Sequence, residues 1–228
     1  QGVSSAASDV YKRQFFDRWA MDPVDLPTVT VQPEGLATDQ PTGGTVNGTD
    51  LALTNAEGQV VAPRLAVFPP GRVAVAYGSS NLTAAPDALL VGRAGQDQRL
   101  PLQVRPTDEA VQRLQQQVEQ YPGECTEQQV LHPTGCPLDH QSTQRVDPSS
   151  IRWEMVQMPQ LDPAASAASS SAGASPAEVT LEGTARISLT QRDLMTGEQQ
   201  EVSQEVPVSF TGTVQVTPES VRFTPQVG

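Results

Sequence analysis

Lysine is all but missing from this chain: Lys12 is the only one, and every cation after it is arginine. Isoleucine occurs twice, at Ile151 and Ile187. Both amino acids draw on AT-rich codons, so their scarcity points to a high-GC bacterial genome, with a salt-adapted acidic proteome as the second reading. The 14 Lys and Arg face 26 Asp and Glu, for a net charge of −12, and nowhere do the arginines cluster. A phosphate backbone needs such a cluster to displace its counterions, which excludes nucleic acid and anionic membrane surfaces as partners. Aromatic residues make up 4% of the chain, so the core must come from Val, Leu and Ala. The same shortage leaves few rings for the exposed platforms of sugar-binding modules. Trp19 and Trp153 are the only tryptophans, and Trp153 sits on the inward phase of a strand.

The first fourteen residues lack any apolar period and any signal-peptide core. "SSAASDVYKRQ", Ser4 to Gln14, resembles a translated transposon-end adapter from sequencing libraries. Gln1 to Gln14 therefore stand apart from fold reasoning, as expression scars and tags do. Asp9, Lys12 and Arg13 lie there, so the rest of the chain moves from −12 to −13.

From Phe15 to about Pro106, short apolar alternations are separated by turn residues. "TVTV" (Thr28–Val31), "RLAVF" (Arg64–Phe68), "RVAVAY" (Arg72–Tyr77), "ALLV" (Ala88–Val91) and "RLPLQV" (Arg99–Val104) are the candidate strands. "PTGGTVNG", "NAEG", "PPG" and "RAGQD" supply Gly, Asn and Pro for turns between them. Such spacing predicts a small β-sandwich-like domain over 15–106.

A helix is predicted over 107–121. Thr107 can cap it, and Asp108 and Glu109 oppose the positive end of its dipole. Val111, Leu114, Val118 and Tyr121 share one face, and Pro122-Gly123 should stop it. A loop over 124–148 holds both cysteines and both histidines.

The last third alternates most cleanly. Val179, Leu181, Gly183, Ala185, Ile187 and Leu189 take odd positions; Val202, Val206, Val208, Phe210, Gly212, Val214 and Val216 take even ones. Period two predicts two long antiparallel strands, 178–190 and 200–217, with one wet face. "DLMTGE" (Asp193–Glu198) turns between them, with bends expected at Gly183 and Gly212. Strands 151–158, with Ile151, Trp153 and Met155 inward, and 220–224 would complete the sheet. The low-complexity stretch Pro163–Ala177 reads as a flexible tip. A helix with one apolar stripe and a sheet with one apolar face must cover each other. The expected class is mainly β / α+β: a sandwich-like unit over 15–106, then one helix packed on a curved antiparallel sheet over 107–228.

Cys125, His132, Cys136 and His140 form C-x6-H-x3-C-x3-H, which invites a tetrahedral zinc site. The alternatives are a Cys125–Cys136 disulfide with two exposed loop histidines, or free thiols. A lone close pair in an exported protein reads as a disulfide, and this spacing is unlike common zinc modules. A nucleophile needs an oriented base within hydrogen-bond reach. The only histidines share one Pro- and Gly-containing loop, and His140 beside Asp139 is mere adjacency, so no catalytic residues, metal or cofactor are assigned. Asp22 and Asp25 lack the Asp/Asn-Gly spacing of a calcium loop. Asn47-Gly48-Thr49 and Asn81-Leu82-Thr83 match glycosylation sequons that a bacterial source leaves idle.

"VNG…AVFPPGRVAV", a helix, then "LHPTGCPLD…RWEMVQMPQL…VTLEGTARISL…VPVSFTGTVQV" resembles the extracytoplasmic part of uncharacterised membrane-anchored proteins of actinobacteria, over most of 15–228. Departures are Pro69-Pro70 where one proline is usual, Val73 for a tyrosine and Leu138 for a phenylalanine. The resemblance implies a missing N-terminal membrane anchor and a place on the cell surface. Those proteins keep the cysteines without these histidines. The expectation is a non-catalytic, disulfide-bonded domain pair of the cell envelope, a spacer or interaction module for other envelope proteins. The alternatives are a carbohydrate-binding module for wall polymer, or a zinc-stabilised or hydrolytic domain.

Overall fold

A computed structural model describes residues 25–36, 38, 42–92, 97–162 and 176–226. The adapter-like start, Trp19, Asp22 and most of the low-complexity stretch lie outside these residues. Seven strands precede the helix: β1 (Thr28–Glu34), β2 (Gly43–Val46), β3 (Thr49–Ala52), β4 (Arg64–Ala66), β5 (Gly71–Gly78), β6 (Leu82–Val91) and β7 (Gln98–Pro106). After α1 (Asp108–Thr126) come β8 (Arg145–Val146), β9 (Arg152–Gln157), β10 (Ala177–Arg192), β11 (Gln199–Val216) and β12 (Val221–Gln226). The architecture is mainly β / α+β, with both sheets curled as half-barrels.

The first sheet runs β3-β2-β5-β6-β7-β1-β4. Its two parts meet at β7. Gln98 to Gln103 lie parallel beside Val29 to Glu34, whereas Val104 and Arg105 pair antiparallel with Ala84 and Thr83. One strand thus joins the antiparallel part of the curled sheet to the part that contains β1 and β4. Val29, Val31, Val75, Leu82 and Leu102 are buried in its core.

The sequence pattern reads "PTGGTVNG" as a turn, because Gly43 and Gly44 erase any apolar alternation, yet β2 and β3 form a hairpin there. Asn47 and Gly48 both have positive φ, 49° and 80°, as a two-residue primed turn requires. The Asn47 side chain then joins the hairpin to β5, donating to the Arg72 carbonyl and accepting from the Ala74 amide, each at 2.9 Å. At Gly44 a Cβ would stand 2.6 Å from the Ala76 carbonyl oxygen, so close approach decides that glycine.

The second sheet runs β12-β11-β10-β8, with β9 also on β10. Val179 pairs with Gly212 and Leu189 with Val202, so odd residues of β10 face even residues of β11, as the alternation predicts. Leu181, Ala185, Ile187, Val208, Val214 and Val216 are buried; Thr180 and Glu182 are exposed. The ladder between β9 and β10 shifts at Thr184/Ala185, beside Gly183, where an added Cβ would meet the Gln157 carbonyl at 2.8 Å. At Gly212 the space belongs to the Phe223 ring.

Thr107 caps α1 by accepting a 3.2 Å bond from the Ala110 amide. The helix does not stop at Pro122-Gly123 as expected; it continues to Thr126. Pro122 forfeits one intrahelical bond, but its ring is buried and the extra turn carries Cys125 inward to 2% exposure. The buried stripe is Ala110, Leu114, Val118, Pro122 and Cys125, with Val111 and Tyr121 at its margin. Tyr121 meets Phe210 edge-on at 5.2 Å, and Phe210 meets Phe223 at 6.4 Å, which seats the helix on the sheet.

Candidate functional site

Three places carry the chemistry worth weighing. The first is the loop after α1. Cys125 and Cys136 are disulfide-bonded, with Cα atoms 5.7 Å apart. The bond uses both sulfurs that the four-ligand zinc arrangement requires. Among the described residues, no group of three or more His, Cys, Asp or Glu side chains is gathered to hold a metal. His132 and Asp139 form an exposed pair through Nδ1 and Oδ1, so the partner of Asp139 is His132 rather than adjacent His140. The backbone amide of His140 donates to the Leu131 carbonyl at 3.1 Å.

The loop is better anchored than its composition suggests. Gln128 brackets Thr134, accepting from its amide at 3.0 Å and donating to its carbonyl at 3.3 Å. Trp153 Nε1 donates to the Val130 carbonyl, and Tyr121 Oη to the Gly135 carbonyl, both at 2.8 Å. Leu138 is 2% exposed, and Leu131 packs against the same core. Trp153 is therefore a core residue that also holds the loop, as its strand phase predicts. Burial of the ring raises the Tyr121 hydroxyl pKa above its usual value.

The second place is the junction between the sheets. Asn81, from the turn between β5 and β6, is fully buried. Its amide nitrogen donates to the carbonyls of Thr217 and Pro218 at 3.0 and 3.2 Å. Its Oδ1 accepts from the Arg113 guanidinium on α1. The Asn81 carbonyl accepts from the Thr107 amide at 2.8 Å, just where α1 begins. Ser80 adds a 2.8 Å bond to the Pro218 carbonyl. One side chain thus ties a turn of the first sheet to the β11–β12 turn and to the helix. The sequon at Asn81 is spent on this network; the one at Asn47 is spent on β5. Sequence reading missed this role because nothing local distinguishes an Asn in a Ser-Ser-Asn turn from any surface asparagine.

The third is a groove of about 730 Å³ at β2, β3 and β5, with Gly43, Gly44, Leu51, Ala76 and Tyr77 in its wall. The Tyr77 hydroxyl is buried and has no hydrogen-bond partner among the described residues. Among the described residues Asp50 is the only carboxylate lining the groove, and no imidazole or thiol does, so no nucleophile and base converge there among them. No family model, curated protein or solved structure matches this chain.

Proposed function

We propose that the chain is a non-catalytic extracytoplasmic module of a bacterial cell-envelope protein, serving as a spacer or protein-interaction element. The observation that carries this reading is the buried Asn81 junction. A spacer keeps its ends in a fixed relation only where its joint resists bending. A buried polar network with its members paired has few alternative geometries, because any bend leaves a desolvated group unpaired.

The disulfide supports the compartment, since such bonds persist in oxidising surroundings and are rare in the cytoplasm. In this reading the module is held to a membrane by a segment outside the present sequence, and its partners are other envelope proteins. Wall polymer is the second candidate partner. It is favoured by one observation: Phe68, beside Pro69 and Pro70, is 76% exposed and could offer a ring face to a sugar.

Thiol trapping in intact cells of a high-GC bacterial host carrying the complete gene tests the placement. The expected result is an oxidised Cys125–Cys136 pair, together with cleavage of the chain by protease added outside the cells. Two alkylated thiols, with protection until lysis, would reject it.

A further inference from the structure

β11 is eighteen residues long, and its two sides are unequally paired. On one side β10 pairs with Gln199 to Val214; on the other, β12 pairs only with Thr211 to Val216. Among the described residues, Gln199 to Phe210 therefore have no strand on their outer side. Pro207 lacks an N–H and interrupts this edge. An uninterrupted run from Gln199 to Val206 remains, about 27 Å at ~3.4 Å per residue. An open edge of this kind is a template for an added strand, with backbone bonds giving affinity and alternate side chains giving specificity.

The two faces beside this edge define the strand it fits. On the inner face Val202 and Val206 are only half-buried, at the margin of the core, with exposed Gln204 between them; apolar side chains on an added strand opposite the valines would complete their cover. On the wet face Glu201 and Glu205 are exposed, with Ser203 between them. Glu205 is paired with Arg186 at 2.7 Å, and no ion pair engages Glu201 among the described residues. An incoming strand meets Glu201 and Glu205 on one face, and on the other Val202 and Val206 with Gln204 between them. A second copy of this chain is a poor occupant: it carries a net charge of −12 and presents the same two glutamates. The charges that discourage self-pairing are the ones that would welcome a cationic strand.

The geometry points to the Gln199–Val206 edge of β11 as a docking site for an extended polypeptide segment in which apolar and cationic residues alternate. This deepens the interaction-module reading and rests on it, but its test is independent of cellular location and of the Asn81 joint.

The probe is a capped eight-residue peptide alternating valine and lysine, titrated into the full chain. Hydrogen exchange should show new protection confined to Gln199–Val206. Binding should weaken at least tenfold when alternate peptide amides are N-methylated, because the added strand then loses its donors. It should weaken comparably in the chain carrying E201K and E205K, with circular dichroism confirming that this variant folds. Equal binding of a scrambled peptide of the same composition, or of the N-methylated one, would reduce the effect to charge adsorption and overturn the proposal. So would an absence of binding, or concentration-dependent protection of the edge without peptide, which would give it to a second copy.

Discussion

Gln115 and Gln117 leave opposite flanks of α1, and each carboxamide closes two hydrogen bonds on the backbone of a different segment. Gln115 accepts from the Leu161 amide at 2.9 Å and donates to the Pro159 carbonyl at 2.8 Å. Gln117 accepts from the Phe223 amide at 2.8 Å and donates to the Val221 carbonyl at 3.1 Å. Two positions on a helix differ by roughly 200° around its axis at 3.6 residues per turn, which sends the two side chains apart. The helix thus lies across the sheet and grips β12 on one flank and the segment after β9 on the other. A primary amide suits the task because it presents one donor and one acceptor, as a neighbouring strand does.

Replacing either glutamine by alanine leaves one backbone donor and one acceptor of an edge without a partner. Each change is expected to cost about 1–2 kcal/mol in urea unfolding. The two share no partner, so the double variant should equal the sum within about 0.5 kcal/mol. A coupling above 1 kcal/mol would show that the two edges do not act separately.

Asn81→Ala removes the partner of two carbonyls and a guanidinium in a fully buried place, and about 2–3 kcal/mol of stability should go with it. Asn81→Asp keeps the volume and the Arg113 contact but turns a carboxylate toward the carbonyls of Thr217 and Pro218. It should be comparably destabilised, which separates lost hydrogen bonding from lost packing. Small-angle scattering of the alanine variant should show a broader distribution of particle dimensions; an unchanged profile would count against a stiff joint.

Reduction of Cys125–Cys136 frees a loop with a sequence separation of 11. The chain-entropy model puts the loss at roughly 2.5–3 kcal/mol. Exchange should rise first over 127–148 and leave β10 and β11 protected. Because Trp153, Tyr121, Gln128 and Leu138 also hold this loop, Cys125→Ala/Cys136→Ala should still fold at 25 °C. Global unfolding of that variant would show the disulfide to be the principal anchor.

The tip of the long hairpin should respond to acid. The backbone amides of Thr196 and Met195 donate to Asp193 and hold its carboxyl below the usual carboxylate range. A depressed folded value means that the stabilisation is complete above the unfolded value, about 3.9, and is lost as pH falls through the folded one. A carboxyl titration by nuclear magnetic resonance should place the Asp193 midpoint below that of a short peptide. Faster exchange at Met195 and Thr196 should follow on the acid side. Asp193→Asn keeps the accepting oxygen and should abolish this pH dependence; persistence of the dependence would assign it to another group.

The sequence alone determined what depends on neighbours along the chain. Period two placed the inward residues of β10 and β11, and Thr107 with its acidic successors placed the start of α1. Two close cysteines marked their own bond. These are local consequences of backbone geometry, and polarity suffices to read them. Where burial competes with propensity, the tertiary structure decided. α1 runs through Pro122 because its last turn has Cys125 to bury, although Pro-Gly ordinarily ends a helix. β2 and β3 pair despite Gly43 and Gly44 because β5 lies beside them and Asn47 joins them to it. Asn81 owes its place to Thr217 and Pro218, more than 130 residues further along the chain. No pattern in a Ser-Ser-Asn turn encodes those carbonyls; only folding brings them within reach of its amide.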